Sequence, residues 1–334
     1  MSVSLSGQRL GHYAVGEIIG RGGMSVVYRA VDERLGRVVA LKVMSENLCA
    51  DREFRDRFAG EARAAAAVDH ANVVPLYDVG EQGGRLFLAM RLVTGSDLAR
   101  ELTGGALAPA RVLHLLGQVG AALDALHDRG LVHLDVKPAN VLITTHEPIG
   151  TEHVYLADFG LTRGDAAGSR TGRGDFLGSP TYASPEHLRG QPISALADQY
   201  SLACVLFTAL SGRPPFCGDV RSVVTGHLSG AVPSLAALTG LPAALDQVLG
   251  RAMAEYPAAR FGTTGDLIAA ARQVLQSGFP EAGGPEAGSA LDSADSTRPP
   301  LPDPGTPAPP ARRRSARHRL SRDGRGPAPA SRYH

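Results

Sequence analysis

The sequence predicts an α+β fold of two lobes, a small antiparallel β-sheet lobe carrying one main helix and a larger helical lobe, followed by a disordered C-terminal tail. Three observations carry that expectation. Short β-rich runs alternate with glycines and charged turns over roughly the first ninety residues. After about residue 95 the apolar residues recur at three-to-four spacing instead. From Glu281 onward there are three leucines, no Ile, Val, Phe or Met, and ten prolines, too little apolar surface to offset the entropy of ordering a chain.

The first lobe opens with Tyr13-Ala14-Val15, Ser25-Val26-Val27-Tyr28 and Val38-Val39-Ala40-Leu41, three β-rich runs that suggest an antiparallel sheet. Residues 51–68 predict a helix, and Val73-Val74 and Leu86-Phe87-Leu88 return to strand. In the second lobe Pro109–Arg129 starts on a proline, keeps Leu113, Leu116, Val119, Leu123 and Leu126 on one face, and meets Gly130 where a C-cap belongs. Leu196–Leu210 is apolar nearly all round, which predicts a buried central helix.

With 43% hydrophobic and 20% charged residues, the 334-residue chain has the usage of a soluble globular protein, so wholesale disorder is excluded. Lys plus Arg number 34 against 33 acids, which gives no reason to expect nucleic acid as the main partner. Cys49, Cys204 and Cys217 are too few and too irregular for a disulfide framework or a Cys-based zinc site, and no apolar run reaches the length of a membrane helix. A cytoplasmic location is expected. Residues 311–334 hold eight arginines and one acid, either a solvated basic tail or a site for an anionic partner such as a membrane surface or nucleic acid. Homodimerisation is left open.

Only two of the 34 cations are lysines, Lys42 and Lys137, and their surroundings carry the chemistry. Gly20, Gly22 and Gly23, with Ser25 and Val27 following, lie between two predicted strands, where bare backbone N–H groups can approach phosphate oxygens; an ordinary Gly-rich hairpin is the rival reading. Lys42 falls on the third strand and Glu61 on the next helix, a pair able to clamp nucleotide phosphates. Next come His133-Leu134-Asp135-Val136-Lys137-Pro138-Ala139-Asn140 and Asp158-Phe159-Gly160. His133 is a packing residue of that loop on this reading, not a base. Cys204 is expected in the core, exposure of Cys49 and Cys217 is left open, and neither is assigned a redox role.

In this order the segments resemble the protein-kinase signature set, and their wording is similar to that of eukaryotic-type (Hanks-type) bacterial serine/threonine protein kinases. The resemblance covers residues 11–275, with a first lobe to about 93 and the second from about 94, leaving 276–334 as tail. It extends through Gly178–Glu186, similar to the segment that closes a kinase activation loop and docks peptide. It implies an ATP-dependent enzyme acting on protein Ser/Thr hydroxyls, autophosphorylation included, with Mg²⁺ or alternatively Mn²⁺. Asp135 would orient the acceptor hydroxyl and Lys137 would stabilise the moving phosphoryl group. Asn140 and Asp158 would ligate metal, and Lys42, held by Glu61, would grip the α- and β-phosphates. Met90 would be the gatekeeper behind adenine, Arg91 to Val93 the hinge, and Asp97 either the ribose acid or a helix N-cap. Glu186 would pair with Arg260, and Asp198 would bind backbone near the catalytic loop. A pseudokinase scaffold and a small-molecule phosphotransferase are the rival readings; the six-residue constellation argues against the first and the Gly178–Glu186 segment against the second.

One departure bears on regulation. Leu134 stands where most regulated relatives carry an Arg that catches an activation-loop phosphate. Thr171, with Ser169 and Thr162 behind it, is the candidate phosphosite, and its modification is expected to couple weakly to activity unless Arg163, Arg170 or Arg173 substitutes.

Overall fold

The structure, a computed structural model, describes residues 4–144, 148–158 and 180–278. They all belong to one unit, Met1–Gly283.

Six strands build the first sheet: β1 (Arg9–Leu10), β2 (Tyr13–Arg21), β3 (Ser25–Asp32), β4 (Arg37–Met44), β5 (Leu76–Gln82) and β6 (Arg85–Arg91), in the order β1-β2-β3-β4-β6-β5, all antiparallel. β4 is central and almost continuously buried, which is why Val38–Met44 lacks the polar alternation of a one-sided strand. Its two faces part the core. Val39, Leu41 and Val43 join Tyr13, Tyr28 and Phe87. Met44 turns to the helix side, against Phe54, Phe58, Ala62 and Leu88. Gly16 is required where β2 crosses β3, since a Cβ there would stand 2.7 Å from the Arg29 carbonyl oxygen. Leu5 and Leu10 also enter this core, so packing begins ahead of residue 11.

The helix expected over 51–68 is α2 (Arg52–Ala66), and a short helix outside that span, α1 (Glu46–Ala50), precedes it. Asp51 separates them and caps the second, accepting from the N–H groups of Glu53 and Phe54 at 2.9 and 3.2 Å. Cys49, whose exposure the sequence left open, is 5% exposed, and its sulfur accepts the Leu86 N–H at 3.3 Å. Val73-Val74 is not a strand of this sheet. Pro75 has no N–H to continue a ladder, and the pair leans on β9 (Val154–Leu156) instead through a parallel bridge of Val73 with Leu156.

β7 (Gly95–Asp97), β8 (Val141–Thr144) and β9 form a small second sheet between the lobes. The helical lobe contains α3 (Leu98–Glu101), α4 (Pro109–His127), α5 (Pro185–Arg189), α6 (Ala195–Ser211), α7 (Val220–Ser229), α8 (Leu235–Thr239), α9 (Ala244–Ala252) and α10 (Thr264–Gly278). α4 buries Leu116, Val119, Leu123 and Leu126 as its periodicity predicts, and Gly130 follows it at φ 71°. α6 is buried from Ala197 to Leu210, the expected central helix, with Cys204 in the core. No helix among the described residues is long and apolar enough to cross a membrane.

Candidate active site

The loop between α4 and β8 is held from below by one carboxylate. Asp198, near the start of α6 and fully buried, accepts the His133 N–H on Oδ2 and the Leu134 N–H on Oδ1, both at 2.7 Å. His127 Nε2 reaches Oδ2 at 2.8 Å. Leu134 sits at φ 61°, a left-handed conformation that costs a branched L-residue about 1–2 kcal/mol. Two charge-assisted hydrogen bonds over-determine it. The sequence expectation for Asp198 is therefore met at atomic detail.

Asp135 comes next. Its Oδ2 accepts from Lys137 Nζ at 2.8 Å and from Asn140 Nδ2 at 3.0 Å, while the same amide donates to the Asp135 carbonyl at 2.8 Å. His133, 1% exposed, accepts the Asp135 N–H on Nδ1 at 3.2 Å and therefore donates from Nε2 to the Ala157 carbonyl at 3.0 Å. Burial pushes its pKa down, so the ring is neutral and serves as a brace, as the sequence suggested.

Asp158 is placed by β9. The Ala157 N–H donates to the Asn140 carbonyl at 2.9 Å, and Val141 stands opposite Leu156, so Asn140 and Asp158 emerge side by side from adjacent strands. Asn72 pins the other edge: its carbonyl accepts the Leu156 N–H at 2.7 Å and its amide donates to Val154 and Gln118 at 2.9 Å. Sequence reasoning passed over Asn72 and Gln118, since single amides 46 residues apart carry no local signal. Asp158 itself has φ 59°, a second strained non-glycine residue in the site.

Lys42 Nζ lies 2.9 Å from Asp158 Oδ1, the Lys side chain 8% and the Asp side chain 34% exposed. The partner expected from the sequence was Glu61. Glu61 is half-buried on α2, and the acid that the Lys42 ammonium meets is Asp158. Lys42 sits between Val27 and Leu88 in the register of the sheet, and its ammonium pairs with the carboxylate that follows β9.

The Gly-rich turn closes the β2–β3 hairpin, with Gly20 opposite Val27 and the Gly22 N–H donating to the Ser25 carbonyl at 2.9 Å. A Cβ at Gly20 or Gly22 would meet nothing nearer than 3.7 Å, and at Gly23 nothing within 4 Å. None of the three has positive φ. The packing of the described residues thus makes no demand for glycine there. Met90 lies opposite Ala40 and, with Val93, Leu142, Val74 and Ala157, lines an apolar floor between the lobes. Asp97 accepts the Arg100 N–H at 2.9 Å and so caps α3, the second of its two expected roles.

Farther along, Glu186 and Arg260 make the expected pair, bidentate at 2.7 and 2.8 Å and buried at 3% and 4% exposure. Ser184 is the N-cap of α5, accepting from the His187 N–H. Thr162, Ser169, Thr171, Arg163, Arg170, Arg173, Phe159, Gly160, Gly178 and Ser179 lie outside the described residues, as does the Arg-rich tail.

Two ammonium groups, two carboxylates and a buried amide thus converge at one junction between the lobes, where they can bind and neutralise a polyanion beside a polar acceptor. The sequence pattern of the protein kinase domain matches residues 13–244. This chain belongs to the protein kinase family. Among relatives of this kinase domain, serine/threonine-protein kinase PknE of Mycobacterium tuberculosis is 41% identical over 274 residues, 81% of this chain and 48% of that protein. Serine/threonine-protein kinase PknD of the same organism is 40% identical over 273 residues, 80% of this chain and 40% of the other. The chain thus spans about half the length or less of these curated relatives. The crystal structure of the M. tuberculosis PknI kinase domain superposes with a TM-score of 0.67 at 33% identity, covering 81% of this chain and 99% of that one. The kinase domain is therefore of the bacterial serine/threonine type.

Proposed function

We propose that this kinase domain transfers the γ-phosphoryl group of ATP to serine and threonine hydroxyls of proteins, itself included. The observation that carries the reading is the convergence of the Lys42–Asp158 pair with the Asp135–Lys137–Asn140 cluster.

Phosphoryl transfer asks for positioning and charge neutralisation more than for covalent chemistry. Asp135, with its carboxylate fixed by Lys137 and Asn140, orients the acceptor hydroxyl and takes its proton. Lys137 meets the phosphoryl oxygens as charge shifts between donor and acceptor, and Lys42 holds the α- and β-phosphates. The Asn140 amide and the Asp158 carboxylate offer neighbouring oxygen donors, a hard set that suits Mg²⁺ and also Mn²⁺. A divalent ion bound there supplies charge neutralisation of the phosphates. The glycines at 20, 22 and 23 let backbone N–H groups close over them, Ser25 and Val27 begin the strand above, and Met90 borders the adenine floor. Asp97 meets the ribose with the carboxylate that also caps α3.

Thr171, Ser169 and Thr162 are the proposed autophosphorylation sites and a 276–334 tail the proposed C-terminal boundary of the domain. With Leu134 before the catalytic Asp, the loop phosphate has no arginine at that position, so Thr171→Ala keeps most activity toward a peptide.

The test is incorporation of labelled phosphate from ATP with Mg²⁺ or Mn²⁺ into the purified protein and a Ser/Thr peptide. Asp135→Asn abolishes it with the melting temperature unchanged. Undiminished incorporation in that variant overturns the catalytic assignment, and none in the wild type under either metal favours a nucleotide-binding scaffold.

A further inference from the structure

The segment that follows the activation loop is gripped through its carbonyls. In the turn Pro180–Tyr182, which is 3-10 in form, the Thr181 carbonyl lies 3.0 Å from His227 Nε2 on α7, and the Tyr182 carbonyl accepts from Ser201 Oγ on α6 at 2.7 Å. A carbonyl only accepts, so His227 carries its proton on Nε2, and Nδ1 must then accept from the Tyr200 hydroxyl, 2.9 Å away. Both rings are almost wholly inside, His227 at 0% and Tyr200 at 1% exposure. Phe216 stacks edge-on against His227 at 4.7 Å between centroids. Gly226 makes room for that ring, for a Cβ there would meet Phe216 at 2.5 Å.

The chain of contacts does not stop at Tyr200. The Arg260 guanidinium lies over its ring at 5.0 Å, and Arg260 is the partner of Glu186. Thr181 and Glu186, at the two ends of one short segment, are thereby joined through His227, Tyr200 and Arg260 in a closed circuit. Burial holds His227 down to about 4, which keeps the ring neutral and this tautomer in place at neutral pH.

We infer that His227 is a positioning residue for the protein substrate: through the Tyr200-fixed imidazole it sets the Thr181–Glu186 backbone against which the residues around the acceptor Ser or Thr dock. The inference rests on the kinase reading above and deepens it. His227 touches neither the nucleotide side of the site nor Asp135, so its influence falls on peptide binding. A change in how the segment is held alters peptide KM and leaves ATP KM where it was.

Three variants of the full chain test this: His227→Leu, which removes both ring contacts; His227→Gln, whose Nε2 can still donate to the Thr181 carbonyl; and Tyr200→Phe, which keeps the ring under Arg260 but leaves Nδ1 without its donor. Two readouts are taken, steady-state kinetics with separate KM values for peptide and ATP, and amide hydrogen exchange across 180–189. His227→Leu raises peptide KM about tenfold or more, the equivalent of one lost hydrogen bond, with ATP KM within twofold. Exchange in 181–184 quickens by a similar factor, Tyr200→Phe gives a smaller change of the same kind, and His227→Gln returns most of the loss. Unchanged peptide KM and unchanged exchange in folded His227→Leu overturn the inference, as does an equal rise in both KM values. If that variant does not fold, Tyr200→Phe decides on the same readouts. A wild type without transfer overturns the kinase reading, and the exchange measurement then still decides whether His227 sets this segment.

Discussion

Asp198→Asn separates the carboxylate that builds the catalytic loop from the one that uses it. The wild-type side chain accepts three hydrogen bonds, from Leu134 N–H, His133 N–H and His127. An amide has one accepting atom, and the least costly choice keeps Oδ1 on the His133 and His127 side and turns the NH₂ toward the Leu134 N–H. One charge-assisted bond is lost, worth about 1.5–3 kcal/mol, and the two that stay become neutral. Leu134 keeps its left-handed backbone in both forms, so that strain cancels, but the variant sets two donors face to face. The loss falls at about 3–5 kcal/mol, the range for breaking a buried charged cluster from one side. For a domain of this size that lowers Tm by roughly 10 °C. Calorimetry or denaturant melts measure it, with phosphate transfer read on the folded fraction. Asp135→Asn serves as the mirror image, with activity abolished and Tm kept. A Tm drop of less than about 2 °C in Asp198→Asn would refute the reasoning, for it would mean that the loop stands without its anchor.

Lys42→Arg and Lys137→Arg keep the charge but replace a compact ammonium by a planar fork, and each should lower kcat/KM by about a hundredfold or more; steady-state kinetics near wild-type values in both would show the two lysines to be accidental. Glu186→Gln should destabilise by about 3–5 kcal/mol because it strands the buried Arg260, whereas Glu33→Gln, whose partner Arg9 is 72% exposed, should move Tm by less than a degree or two. Between about pH 6.5 and 4, stability should fall with falling pH, since unfolded His227 binds a proton there that the folded ring, held to about 4, refuses. The folded state is at full strength above that window. His133 adds a slope of the same sign, so the comparison is with His227→Gln, which should flatten the curve by up to about one proton's worth.

Much of the molecule is written locally. The run of β4, the 3.6-residue stripe of α4, the all-round apolar α6, and Gly130 after the helix are decided by side chains within a turn or two of each other, so a periodicity is enough to predict them. The ordered motifs around two solitary lysines were enough to mark the site, and even the long-range Glu186–Arg260 and Asp198 contacts were legible through resemblance, because those buried charges have so few ways to be satisfied. Contacts that depend on which distant surfaces meet were not legible. Lys42 meets Asp158 and not Glu61, and Val73-Val74 abandons the sheet for β9. His227 had no signal at all: in sequence it is one polar residue on an ordinary amphipathic helix. Its tautomer, its neutrality and its hold on Thr181 exist only once α6, α7 and the turn between the activation loop and α5 are folded against each other, since a hydrogen bond inside a protein is set by where the backbone carbonyl ends up and not by which residue follows which.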